Sequence, residues 1–140
     1  AARYVAVHDA ARPLIDAETV RRVLRAVRTC DAAVPGLPVT DTVKMVSPRG
    51  FVISTPDRAA LRAVQTPQVF RRGVADRVYA PAVVRRWTRR RTITDDVQLA
   101  ELEGFRVRVV EGSVHNIKVT TPDDLETARR LLTARAPEGR

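Results

Sequence analysis

Tyr4-Val-Ala-Val-His-Asp-Ala-Ala-Arg-Pro13 runs from a short β-favouring segment into an acid, two small residues, an arginine and a proline. Such a pattern describes a strand that delivers Asp9 and Arg12 into a loop at its carboxyl end, where α/β sheets bind ligands. The same two side chains would equally serve a closed turn in which they only pair with each other. His8 reads as a packed residue that orients the loop.

Working outward, Asp16 is a helix cap, and Val20, Val23, Leu24 and Val27 recur at helical spacing. Arg21, Arg22, Arg25 and Arg28 then fall on the opposite, solvated side. Ala33-Val-Pro-Gly-Leu-Pro-Val39 reads as a strand interrupted or edged by prolines, because Pro35 and Pro38 lack the N–H that a ladder needs. Residues 42–46 and 51–53 alternate around the turn Ser47-Pro-Arg-Gly50 and resemble a hairpin projecting from the main sheet. It would serve either as an arm for a partner subunit or as an ordinary surface hairpin.

Further on, residues 59–61 suggest a helical turn, and Thr66-Pro67 suggests a helix entry with Thr66 as cap. Arg71 to Trp87 carries a mixed helical pattern broken at Pro81. The basic run Arg85, Arg86, Arg89, Arg90, Arg91 suits either phosphate binding or a solvated linker. Thr94-Asp-Asp96 opens a helix reaching about Glu103, with Thr94 as cap. Asp95 and Asp96 there either favour the helix dipole or touch a metal. Arg106-Val-Arg-Val-Val110 alternates as a half-buried strand, and Asn116-Ile-Lys-Val-Thr120 reads as the last strand. Thr121-Pro-Asp-Asp124 starts the final helix with a cap, a proline and an acid in their favoured places. The tail from Ala134 reads as frayed.

The chain of 140 residues, 44% of them hydrophobic, suits one domain with a real core. The net charge of +9 suggests nucleic acid at first sight, yet aromatics make up only 4% and offer little to stack bases on. The charge is read as surface, with an anionic small substrate as its functional part. Cys30 is the only cysteine, which leaves no intrachain disulfide or cysteine metal cluster and points to a reducing compartment. No apolar run has the length of a membrane span. The six glycines are scattered, so neither a dinucleotide fingerprint nor a P-loop is present.

The polar residues at strand ends and turns are Asp9, Arg12, Asp41, Thr42, Lys44, Arg58, Thr66, Gln68 and Lys118. Carboxylate, cations and hydroxyls in this mixture suit phosphate chemistry with Mg²⁺ better than acyl transfer. Neither Ser47 nor Ser54 has a nucleophile-elbow context, and His115 reads as a turn residue.

His8-Asp-Ala-Ala-Arg-Pro13, Pro38-Val-Thr-Asp-Thr-Val-Lys44, Asp57-Arg58, Ala63-Val-Gln-Thr-Pro-Gln68, Thr94-Asp-Asp96 and Asn116-Ile-Lys-Val-Thr120 succeed one another in an order that closely resembles the 2-C-methyl-D-erythritol 4-phosphate cytidylyltransferase family. The resemblance implies an α/β, Rossmann-like mixed sheet flanked by helices. It also implies cytidylyl transfer from CTP to a small phosphorylated polyol, with release of pyrophosphate. By carry-over, Asp9 coordinates Mg²⁺, while Arg12 and Lys118 act at the reacting phosphates. Asp41, Thr42 and Lys44 begin an arm over residues 40–54 that embraces a second subunit. Thr42 and Arg58 help to hold the polyol phosphate across that interface, with Thr66 near its phosphate. The resemblance further implies a homodimer in the cytoplasm, with no nucleic-acid or membrane partner.

The family's amino-terminal strand and glycine-rich CTP loop are missing from the 140 residues. Hence the chain is expected to be the carboxyl-terminal portion of a single nucleotidyltransferase domain, poorly active alone. A related polyol-phosphate cytidylyltransferase and a non-catalytic dimerisation or anion-binding module are the alternatives.

Overall fold

The computed structural model describes residues 2–135. Its main sheet has the strand order β1-β6-β2-β5, with β7 also paired to β2. The strands are β1 (Tyr4–Val7), β2 (Ala32–Pro38), β5 (Arg62–Val64), β6 (Gln68–Arg71) and β7 (Val107–Glu111). Only the β2–β7 pair is parallel; β1–β6, β2–β6 and β2–β5 are antiparallel. A separate two-stranded ribbon, β3 (Met45–Val46) with β4 (Val52–Ser54), forms the hairpin read from the sequence. The helices are α1 (Ala17–Ala26), α2 (Arg72–Val78), α3 (Pro81–Thr88), α4 (Asp96–Leu102) and α5 (Pro122–Arg135). None in the described residues is long and apolar enough to cross a membrane.

Period-two alternation sorts the core into two layers. Ala32 and Val34 of β2 and Phe70 of β6 face α2 and α4, where they pack on Val74, Val78, Val97, Leu99 and Ala100. Ala33 and Val69, one residue out of phase, face α1 and meet Val23, Ala26, Val27 and Cys30. The mixed sheet is therefore covered on both faces, as expected. Burial pushes the Cys30 thiol pKa up, consistent with a packing role.

Asp16 caps α1: its carboxylate accepts from the Thr19 N–H at 2.6 Å and from the Thr19 hydroxyl at 2.9 Å. Burial works against its charge, but those bonds, with Ser113 and Arg22, leave its pKa below the usual value. Arg21 and Arg25 pair with Glu18 at the surface, as a solvated face would. Arg22 departs from that reading, because its Nε donates to the Glu111 carbonyl at 3.1 Å and ties α1 to β7.

Five further readings need correction. The strand containing Pro35 and Pro38 is central rather than an edge: β2 is flanked by β7 on one side and by β6 then β5 on the other. Pro35 sits where the neighbour changes from β6, paired at Ala32 and Ala33, to β5, paired from Gly36 onward. A missing N–H costs little at that joint, so the strand is interrupted there on one flank only. Thr66-Pro67 does not open a helix. Its peptide bond is cis, and the chain continues as β6, where Val69 and Phe70 are buried between sheet and helices. The cap of α4 is Asp95, which accepts from the Gln98 N–H at 2.9 Å, rather than Thr94. Asn116–Thr120 joins no ladder. His8 is exposed rather than packed, although it does orient the loop.

Pro81 begins α3 and so ends the α2 pattern where the sequence placed the break. Within the basic run, Arg86 pairs with the buried Glu103, which also accepts from the Trp87 indole at 2.8 Å and from Arg77 at 3.1 Å. Arg86, Arg90 and Arg91 lie 5.2–5.8 Å from the centre of the Trp87 ring. The final helix has its predicted start and runs to Arg135; the rest of the tail lies outside the described residues.

Candidate functional site

β1 ends one residue before His8, and the loop folds back at once: the Arg12 N–H donates to the Asp9 carbonyl at 3.0 Å. The two side chains do approach, with Arg12 Nε 3.5 Å from Asp9 Oδ2. A closed turn is only part of the arrangement. Lys118 Nζ reaches the same Oδ2 at 3.1 Å, and Arg12 turns its Nη1 to the Asn116 carbonyl at 2.7 Å. One carboxylate oxygen thus gathers two cations from positions more than a hundred residues apart. No hydrogen bond engages Asp9 Oδ1 among the described residues.

The loop is braced by a directed chain of hydrogen bonds. The Arg12 carbonyl can only accept, so His8 Nε2 donates to it at 3.1 Å. The Thr66 hydroxyl bonds His8 Nδ1 at 2.8 Å, and its Oγ1 accepts from the Asp9 N–H at 3.1 Å. Thr66 therefore holds the backbone of Asp9 and, through His8, the backbone of Arg12. Across the opening, Gln68 accepts from the Val97 N–H at 2.9 Å and joins β6 to the first turn of α4.

These elements enclose a cavity of about 330 Å³ lined by Asp9, Arg12, Gln65, Thr66, Gln68, Thr94, Asp95, Asp96 and Lys118, with Val7 and Val64. Three carboxylates and two cations line it, a balance that accommodates a divalent cation together with phosphate groups. Among the described residues there is no cluster of three or more metal-ligating side chains. Mg²⁺ is commonly held by one or two carboxylates and completed by substrate oxygens. The carboxylate of Asp9, with Oδ1 uncommitted, meets that requirement. Asp95 is occupied as the α4 cap.

Of the residues read from the sequence, Asp9, Arg12, Thr66, Gln68 and Lys118 converge on this cavity. Asp41, Thr42, Lys44 and Arg58 do not line it. They sit at the base of the β3–β4 ribbon, where Lys44 Nζ donates to the Thr55 hydroxyl at 2.8 Å and Arg58 Nη1 to the Thr40 carbonyl at 2.9 Å. Sequence reasoning missed Gln65 and Asn116. The buried Gln65 amide brackets Ser113, donating to its carbonyl at 2.9 Å and accepting from its N–H at 3.1 Å. The polar run Gln65-Thr66 between Ala63-Val64 and the buried pair Val69-Phe70 was the available signal.

The family model for 2-C-methyl-D-erythritol 4-phosphate cytidylyltransferase (IspD) matches residues 1–134. A cytidylyltransferase of that description from Symbiobacterium thermophilum is 46% identical over 134 residues, covering 96% of this chain and 55% of the relative. One from Caldanaerobacter subterraneus is 41% identical over 128 residues, covering 91% of this chain and 55% of the relative. The crystal structure of the Thermus thermophilus enzyme superposes with a TM-score of 0.80 at 37% identity, covering 95% of this chain and 63% of that one. The chain spans about half the length of the curated relatives it matches.

Proposed function

Because the chain belongs to the 2-C-methyl-D-erythritol 4-phosphate cytidylyltransferase family, we propose that it takes part in cytidylyl transfer from CTP to 2-C-methyl-D-erythritol 4-phosphate. The observation that carries this reading is the Asp9–Arg12–Lys118 cluster at the wall of the 330 Å³ cavity. On this reading residues 1–140 are the carboxyl-terminal portion of one nucleotidyltransferase domain, and residues 40–54 are its dimerisation arm.

In the proposed reaction a phosphate oxygen of the polyol phosphate attacks the α-phosphorus of CTP. The bond to the bridging oxygen breaks, and pyrophosphate leaves. No protein nucleophile is required, so the chain's contribution is position and charge. Lys118 and Arg12 face the negative charge that builds on the phosphoryl oxygens. Asp9 holds both cations toward the cavity and is the residue that would bind Mg²⁺, which when bound neutralises phosphate charge. Thr66 fixes the Asp9 backbone and so sets the reach of that carboxylate. Thr42, Arg58, Asp41 and Lys44, remote from the cavity within one chain, would serve a partner's substrate through the arm.

The test is pyrophosphate release from CTP with a panel of polyol phosphates, together with calorimetric binding of each compound. Binding of 2-C-methyl-D-erythritol 4-phosphate in preference to other polyol phosphates is expected. Preference for a different polyol phosphate would shift the reading to a related cytidylyltransferase. Absence of binding to every compound, CTP included, would overturn it.

A further inference from the structure

Lys118 lies on a segment with no sheet ladder to hold it, yet its ammonium is placed against Asp9. Two contacts flank it. On one side the Val119 N–H donates to the Ala11 carbonyl at 2.8 Å. On the other stands Asn116, which is fully buried and whose Nδ2 donates to the Thr66 carbonyl at 2.8 Å. The Asn116 carbonyl accepts from Arg12 Nη1 at 2.7 Å and from Gln65 Nε2 at 3.3 Å. Asn116 therefore touches both the Arg12 guanidinium and the Thr66 turn from within the segment that carries Lys118.

We propose that Asn116 is a positioning residue that sets Arg12 and Lys118 together against Asp9. Its orientation is fixed, because the Thr66 carbonyl can face only the NH₂ end of the amide. That leaves Oδ1 buried without a hydrogen-bond partner among the described residues. An apolar side chain of similar size would fill the same space and remove the orphaned Oδ1, but would leave the Thr66 carbonyl without its donor, so what the amide adds beyond packing is that bond. What an apolar residue lacks is the donor that pins the Lys118 segment to the turn holding Asp9. The chemistry ascribed to the two cations rests on the function proposed above. The positioning itself is a matter of geometry and can be tested without turnover.

The experiment tracks the Lys118 ammonium and Arg12 guanidinium signals by nitrogen-15 NMR in the wild-type chain and in Asn116→Ala and Asn116→Asp. The Trp87 indole, bonded to Glu103 at the carboxyl end of α4, away from the cavity-lining Asp96 at its start, is the folding control. In Asn116→Ala both cation signals should move toward free, rapidly exchanging values while the Trp87 signal stays. Unchanged cation signals would overturn the proposal. Asn116→Asp adds a reversible arm: the ionised carboxylate cannot donate to Thr66, whereas the protonated carboxyl can. Burial favours protonation of the introduced carboxyl while Arg12 beside it favours ionisation, so the wild-type signals should return as the pH is lowered through its titration. If Asn116→Ala also loses the Trp87 signal, this arm decides: return supports the proposal, and failure to return overturns it.

Pyrophosphate affinity supplies a double-mutant cycle. Asn116→Ala should weaken binding about tenfold, as expected for one buried hydrogen bond. It should have little further effect once Lys118→Ala is present, because the two act as one unit. Additive losses would mean that Asn116 acts elsewhere. A wild-type chain that binds no pyrophosphate would count against the proposed function, while the NMR comparison would still decide the role of Asn116.

Discussion

Asp9 shares one oxygen between two cations of unequal standing. Arg12 is largely buried and has a second acceptor in the Asn116 carbonyl, whereas Lys118 is about half exposed and, among the described residues, its ammonium pairs with Asp9 alone. An exposed ion pair contributes little to stability, at most about 1 kcal/mol. Lys118→Ala should therefore leave thermal unfolding and oligomeric state nearly unchanged. A donor facing developing phosphoryl charge is worth roughly 10²–10³ in rate. Where turnover is measured as pyrophosphate release, the variant should lose about that much in kcat; a near-wild-type kcat would remove Lys118 from the reaction. Gly112 presents the opposite case, with steric cost and no chemistry. A Cβ there would stand 2.4 Å from Gln65 Oε1 and 3.3 Å from the Gly36 backbone carbon. The Gln65 amide cannot swing aside without giving up Ser113 and Asn116. Gly112→Ala should destabilise the chain by about 1–3 kcal/mol in urea unfolding.

At the start of α5, Asp124 closes a reciprocal cap. Its Oδ2 accepts from the Thr120 N–H and hydroxyl and from the Thr121 N–H, while its own N–H donates to the Thr121 hydroxyl. Those bonds, the Thr120 backbone first, lower its pKa from 3.8 to about 2. A carboxyl depressed on folding stabilises fully above its unfolded value and loses that contribution as pH falls through the folded one. Hydrogen exchange in the first turn of α5 should thus be protected evenly above pH 4 and lose protection from there toward pH 2. Asp124→Asn should flatten that dependence, and an unaltered profile would mean that another group governs it. This cap, like that of Asp16, was legible because its residues are neighbours in sequence. The same holds for the hairpin and for Pro81. The errors came where distant partners override a local pattern. Thr66-Pro67 has the look of a helix start, but burial of Val69 and Phe70 between two layers makes residues 68–71 a strand. Asn116–Thr120 alternates like a strand, yet joins no ladder and is held by the Asn116 side chain and by the Val119 N–H bond to the Ala11 carbonyl. Gln65 and Asn116 escaped notice because their bonds span 48–51 residues. Local pattern placed Asp9, Arg12 and Lys118 among the polar residues at strand ends and left Asp9 and Arg12 open to a simple turn; their separate roles came from family resemblance.

Over the whole molecule, the body and the arm differ in how they are held. The main sheet is covered on both faces, whereas β3 and β4 pair only with each other. A lone two-stranded ribbon is marginal in water. Yet this one carries Met45, Val46, Phe51, Val52 and Ile53, all more than half exposed, with Phe51 at 72%. Apolar side chains so concentrated favour a protein interface, and on the function proposed above a second copy of the chain is what would carry Thr42 and Arg58 to a cavity they do not line in their own. Sedimentation at tens of micromolar should show a dimer. Charges at Phe51→Asp and Ile53→Asp together should weaken it by about 10²-fold or more, since each forfeits the burial of a large side chain and places a carboxylate in the contact. Measured against wild type diluted to the monomer, the unfolding midpoint of the monomeric variant should not fall, because the ribbon contributes nothing to either core layer, whereas the wild-type dimer gains stability by association. If the arm presents Arg58 to a partner's substrate, the same pair of charges should raise KM for the polyol phosphate while CTP binding holds. A wild-type chain that sediments as a monomer at that concentration would rule out the arm as its dimer contact and leave Thr42 and Arg58 without a route to the site.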